Sequence, residues 1–174
     1  MCAHCPVPVQ QLSAVKVLAL SGNTFVGGLD AVFSDLGFSG HLTTVDVSNN
    51  NFCGTLPVAL FESSSLIEVV ADVNCFDGTI PSGVCRASSL KTLSLSGLST
   101  GTDCIEKYGG LFNFYTSKFL PGNIPSCLFQ STTLAVLSLS GNGIRSPLYD
   151  ISPNSSLSNL SLSFNLITGV KREA

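Results

Sequence analysis

The chain has 174 residues, of which 44% are apolar and only 11% charged, with a formal net charge of −3. That length holds one domain or one run of stacked repeats. Eight Lys and Arg without a run among them exclude the cationic footprint that a nucleic acid requires. No apolar run approaches the roughly 20 residues that a bilayer-spanning helix needs.

Residues 1–14 carry Cys2, His4 and Cys5 and are expected to be the remnant of a Cys-bearing N-terminal cap. Residues 1–11 lack the charged start and apolar stretch of an export signal. The chain therefore reads as a piece of a longer protein whose anchor or export signal lies elsewhere. Cys2, His4 and Cys5 are not expected to hold zinc, because a structural site takes four ligands and no second Cys/His pair is spaced to complete one.

From Val15 the sequence repeats. Val15-Lys-Val-Leu18-Ala-Leu20-Ser-Gly-Asn23 is echoed by Leu42-Thr-Thr-Val45-Asp-Val47-Ser-Asn-Asn50 and then by Leu66-Ile-Glu-Val69-Val-Ala71-Asp-Val-Asn74. Leu90-Lys-Thr-Leu93-Ser-Leu95 follows Leu66 at the same interval that separates Leu66 from Leu42. Leu134-Ala-Val-Leu137-Ser-Leu139-Ser-Gly-Asn142 and Leu157-Ser-Asn-Leu160-Ser-Leu162-Ser-Phe-Asn165 bring the copies to six. The second half of the unit recurs as well: Asn50-Asn-Phe52-Cys-Gly54-Thr-Leu56-Pro57, Asn74-Cys-Phe76-Asp-Gly78-Thr-Ile80-Pro81 and Gly122-Asn-Ile124-Pro125. Within each copy apolar and polar residues alternate with the period of a strand. One unit cannot bury its apolar edge alone, so neighbours must stack.

This template resembles the plant-type leucine-rich repeat, LxxLxLSxNxFxGxIPxxL, over nearly the whole chain. The resemblance implies a solenoid over residues 15–170, an α/β-type repeat, followed by a truncated end at 171–174. A parallel sheet should line its concave face, with turns and short 3₁₀ segments returning on the convex side. Phe25, Phe52 and Phe76 should stack as an internal spine, continued by Ile144 and Ile167. Asn23, Asn50, Asn74, Asn142 and Asn165 form a column expected to satisfy backbone groups where the chain leaves the strand. Leu98 takes that place in the fourth unit, so the ladder should break there.

The interval from Leu90 to Leu134 is nearly twice the regular one. The excess falls at about 99–118, between the fourth strand and its Gly-x-Ile-Pro half, and should emerge on the rim of the sheet. It holds Tyr108, Phe112, Phe114 and Tyr115. Aromatics on a loop beside a concave surface make a binding patch, and in position the insertion resembles the larger islands of some plant receptor ectodomains, where ligands bind. The alternative is that the same side chains simply glue the loop to its own solenoid, since a loop of that length without its own core needs an anchor. The sheet itself should present small hydroxylated residues, with one charge focus at Asp46, Glu68 and Asp72 that could draw a cationic partner or a calcium ion, or be just a solvated face.

Seven Cys in a low-charge repeat protein fit an oxidising compartment. Cys85 with Cys127, and Cys75 with Cys104, are the expected disulfides. Cys53 is either free or a competitor for Cys75. Asn154-Ser-Ser and Asn159-Leu-Ser fit the N-glycosylation pattern. His41 stands alone, and no nucleophile–base motif or phosphate-cradling loop occurs, so neither catalysis nor a cofactor is expected. What the resemblance to plant receptor ectodomains and protist surface proteins implies is recognition of a protein, peptide or glycan at the cell surface or outside it, in a parent protein that carries the membrane anchor. The second reading is a secreted structural or ice-binding solenoid, for which the Ser column at 21, 48, 96, 140 and 163 would supply a hydroxyl array.

Overall fold

The computed structural model describes residues 14–30, 33, 41–98 and 122–171. The expected cap, the insertion at 99–118 and the last three residues lie outside them, so their boundaries remain expectations. Six short strands form one parallel sheet: Val17–Ala19, Thr44–Asp46, Glu68–Val70, Thr92–Ser94, Val136–Ser138 and Asn159–Ser161. They pair in chain order without a slip, Leu18 against Val45, Val45 against Val69, Val69 against Leu93, Leu93 against Leu137 and Leu137 against Leu160.

The alternation in sequence sets this register. Each strand turns its middle residue inward, and Val45, Val69, Leu93 and Leu137 are fully buried. Two parallel columns flank them, Leu42, Leu66, Leu90 and Leu134 on one side and Val47, Ala71, Leu95 and Leu139 on the other. A one-residue slip would turn every column out to solvent. A buried Leu or Val contributes about 1.5–3 kcal/mol, so register is strongly held. In the first and sixth units, with a neighbour on one side only among the described strands, Leu18, Leu20, Leu160 and Leu162 are just partly buried.

The return side holds more β-structure than expected. Val26–Gly28, Asn51–Gly54 and Cys75–Phe76 make a second parallel sheet where the sequence pointed to turns. After each Asn the chain stays extended, the Phe of that stretch points inward, and backbone groups such as the Asn51 N–H reach the preceding unit, here Phe25 O at 2.8 Å. Gly54 and Gly78, at φ 81° and 82°, then turn the chain into the Leu/Ile-Pro step. Beyond Pro57 and Pro81 come 3₁₀ helices, Val58–Glu62 and Ser82–Arg86. The fourth unit has a four-residue α-helix there, Cys127–Gln130.

The aromatic spine forms: the Phe25 and Phe52 rings stack at 5.7 Å and those of Phe52 and Phe76 at 6.4 Å, both 9° from parallel. Ile144 is buried in the same column, and Ile167 packs against the core.

Candidate functional site: the sheet face and its rim

The Asn column is structural. Asn74 Nδ2 donates to Val47 O and Ala71 O, both at 3.0 Å, and its Oδ1 accepts the Phe52 N–H at 3.1 Å. Asn50, Asn142 and Asn165 repeat the scheme, each tying its own unit to the one before. At Leu98 the rung is missing: an apolar side chain, fully buried, takes the place of the amide, and its N–H goes to Asn142 Oδ1 at 2.9 Å. Ser99, where the expected insertion begins, follows it in the sequence.

The sheet face is hydroxylated, as the strands foretell, and the hydroxyls of Ser48, Ser94, Ser96, Ser138, Ser140 and Ser161 are engaged. Asp46 Oδ1 accepts from the Ser48 N–H at 3.0 Å and the Ser48 hydroxyl at 2.6 Å. Asp72 accepts the Ser94 hydroxyl at 2.8 Å and the Ser96 N–H. Farther along, Ser96 and Ser138 share a hydrogen bond at 2.7 Å, as do Ser140 and Ser161. Glu68 lies half-buried between Thr44 and Thr92. Two of the three acids expected to steer a cation are thus acceptors for neighbouring Ser groups. Among the described residues, no group of three or more His, Cys, Asp or Glu is arranged to hold a metal ion.

One backbone feature escaped the sequence. The residue before each ladder position is left-handed in all six units: Gly22, Asn49, Val73, Gly97, Gly141 and Phe164, with φ between 52° and 73°. Glycine at three of these places was the visible signal. Val and Phe are rare there, since a left-handed L-residue costs about 1–2 kcal/mol. The side chains at 49, 73 and 164 project from the rim, and Phe164 is 88% exposed.

Tyr108, Phe112, Phe114 and Tyr115 lie outside the described residues. The two attachment points of their segment are fixed. Upstream, Leu98 is buried beside the fourth strand. Downstream, Gly122 at φ 100° leaves no room for a side chain beside Thr79, as Gly78 leaves none beside Thr55, and Cys127 is bonded to Cys85 with Cα atoms 5.8 Å apart. Cys53 is disulfide-bonded, which removes the free-thiol option, and so is Cys75. Cys104, its expected partner, is outside the described residues. A cleft of about 230 Å³ under the Cys85–Cys127 bridge is lined by Val84, Leu90, Leu128, Leu134 and uncharged polar residues, so it brings no acid or base.

A leucine-rich-repeat family model matches residues 41–62. Together with six in-register parallel strands, a spine and an Asn ladder, that decides the fold. The chain folds as a leucine-rich-repeat solenoid. An Arabidopsis thaliana protein described as a "probably inactive leucine-rich repeat receptor-like protein kinase" is 38% identical over 58 residues, 33% of this chain and 5% of that protein. Among solved structures, the Arabidopsis receptor kinase HAESA, in complex with the peptide hormone IDA and the co-receptor SERK1, superposes with a TM-score of 0.68 at 27% identity, over 91% of this chain and 24% of that one. A plant ice-binding protein shares the fold at 19% identity and a TM-score of 0.52, over 90% of this chain and 59% of that one. The chain therefore spans a small part of the two receptor kinases. No described helix of this repeat protein is long and apolar enough to cross a membrane.

Proposed function

We propose that this leucine-rich-repeat chain is a recognition module of the cell surface or extracellular space, binding a protein, peptide or glycan, and that the insertion of the fourth unit carries the anchoring contacts. The observation behind this is the state of the sheet face. Six of its Ser hydroxyls and the Asp46 and Asp72 carboxylates already hydrogen-bond one another. A partner docking on the sheet would exchange existing bonds for new ones, and a hydrogen bond nets only roughly 0.5–1.5 kcal/mol. A buried aromatic hot spot is worth about 2 kcal/mol or more, and four aromatics, Tyr108, Phe112, Phe114 and Tyr115, stand in the insertion. The likeness to HAESA supports recognition as the class of activity; the disulfides support an oxidising compartment. Catalysis has no assigned residues in this reading.

The same network argues against the ice-binding alternative. Ser48 is 7% exposed and donates to Asp46, and Ser96 is paired sideways, so the Ser column is not a free array.

The test replaces Tyr108, Phe112, Phe114 and Tyr115 with Ser in the otherwise intact chain. Capture of extracellular proteins or peptides should be lost while the far-ultraviolet circular dichroism persists. If capture survives and is lost instead on changing Asp46 and Asp72 to Asn and Glu68 to Gln, the sheet is the site. If the Ser variant unfolds, the aromatics anchor the loop.

A further inference from the structure

Two asparagines with the glycan-acceptor pattern are left unexplained by recognition, and the structure separates them. Asn154 lies in a turn: the Ser155 N–H donates to Ser152 O at 2.9 Å, and the Asn154 N–H to the Ser152 hydroxyl at 3.2 Å. Backbone bonds from Ser152 to Phe129 O and from Ser156 to Ser131 O, both 3.0 Å, seat this turn on the return side of the solenoid. Asn159 lies in the last strand of the main sheet, on the opposite face. Both residues are exposed. In neither does the carboxamide hold the backbone, whereas every ladder Asn commits its Nδ2 to main-chain carbonyls. A sugar on a ladder Nδ2 would remove a rung; one on Asn154 or Asn159 would remove none.

Conformation distinguishes the two. The acceptor pattern pairs Asn with a hydroxyl two residues on. In a strand those side chains share a face but stand about 6.6 Å apart along it, two rises of about 3.3 Å, beyond hydrogen-bond reach. In a turn they approach, and Pro153-Asn154-Ser155-Ser156 is a turn-forming run that needs no partner strand. Asn154 can therefore be presented in the reactive shape before the solenoid has closed, whereas the bend is foreign to the strand around Asn159.

From this we infer that Asn154 is an N-glycan acceptor, used in preference to Asn159, and that its glycan covers the return side while leaving the sheet and its rim open. In the transfer, Asn154 Nδ2 attacks the anomeric carbon of a lipid-linked oligosaccharide diphosphate. A C–N bond forms, the C–O bond to the diphosphate breaks, Nδ2 gives up one proton, and the lipid diphosphate leaves. The inference rests on the extracellular reading above, because the transferase works only on chains entering the secretory route.

The experiment supplies that route. The full chain is expressed behind an added export signal in a glycosylating eukaryotic host, with a second secreted glycoprotein as a control for transferase activity. Deglycosylation in heavy-oxygen water marks each formerly occupied Asn as labelled Asp, read by peptide mass spectrometry. The expected result is label at Asn154 exceeding that at Asn159, with N154Q abolishing most of the electrophoretic shift and N159Q little of it. A bare Asn154 beside a glycosylated control, or label at Asn159 equal to or above that at Asn154, overturns the inference. Because the signal is supplied, that failure leaves the recognition reading untouched, and loss of capture in the Tyr/Phe variant is measured independently.

Discussion

The second and third units meet differently from the third and fourth. In the sheet the two junctions match: Val45 opposes Val69, and Val69 opposes Leu93, at equal intervals along the chain. On the return side they diverge. Pro81 follows Pro57 at that same interval, but Pro125 follows Pro81 at nearly twice it, because the insertion intervenes. The earlier junction has the Asn74 rung, and its 3₁₀ helices pack against each other and carry the exposed Arg86–Glu62 pair at 3.7 Å. The later one has Leu98 where a rung belongs, and the Cys85–Cys127 bridge between its return halves. Stacking is thus set by the inward columns and not by chain length between them. Nearly doubling a loop costs only about 0.6 kcal/mol in closure entropy. Where the amide rung is absent and the return half is delayed, a covalent link takes over the fastening.

Removing that link should have the largest effect. The bridge spans 42 residues of sequence, and a loop of that size loses about 4 kcal/mol of stabilisation in the chain-entropy model when opened. Replacing Cys85 and Cys127 with Ser should lower the urea midpoint accordingly. Hydrogen exchange should accelerate in the fourth unit more than in the second. A loss below about 1 kcal/mol, well under the chain-entropy figure, would mean that packing alone holds the later junction, and the contrast between the two fastenings would fall.

The sheet was legible in the sequence because its signal is local and repeated: six alternating runs specify which residues face inward, and one-to-one pairing follows. The spine and the Leu98 gap were legible for the same reason. The second sheet was not, since Val26–Gly28 and Cys75–Phe76 contain Gly, Cys and a single aromatic, without a period to read. Their extension comes from neighbours offering backbone partners. The left-handed column was half visible, masked by Asn49, Val73 and Phe164 at places where Gly would have announced it. The candidate site divides likewise. That Asp46 and Asp72 stand on the sheet follows from alternation, but that they accept from Ser48, Ser94 and Ser96 depends on rotamers and on a neighbouring unit.

The earlier junction is tested by Asn74→Ala. Its Nδ2 and Oδ1 serve Val47 O, Ala71 O and the Phe52 N–H in a site from which water is excluded, and Asn74 itself is fully buried. Leaving such groups unpaired costs about 1–3 kcal/mol apiece, partly relieved by local relaxation, so a loss of about 3 kcal/mol is expected in equilibrium urea unfolding. If the variant matches the parent, the ladder is ornamental, and Leu98 is no gap in the fastening.

The smallest effect concerns the residue ahead of each ladder position, where the third unit has Val73 at φ 53° and the fourth Gly97 at φ 61°. Gly97→Val would make the fourth unit copy the third. Two terms oppose each other. Holding an L-residue in the left-handed region costs about 1–2 kcal/mol, while losing the glycine's freedom in the unfolded chain returns about 0.4–1 kcal/mol. The conformational penalty is the larger, so thermal or urea unfolding should register a net loss of about 1 kcal/mol, with the folded spectrum unchanged. Val73 shows that the turn survives a β-branched residue, so the variant should fold. The effect should also be local: the Gly97 N–H donates to Ser140 O at 2.8 Å, so faster amide exchange is expected at that bond and not at the Val73 N–H, held by Ser96 O at 2.9 Å. If Gly97→Val proves neutral or stabilising, the left-handed column is soft in the fourth unit, and the two junctions differ in backbone stiffness as well as in fastening.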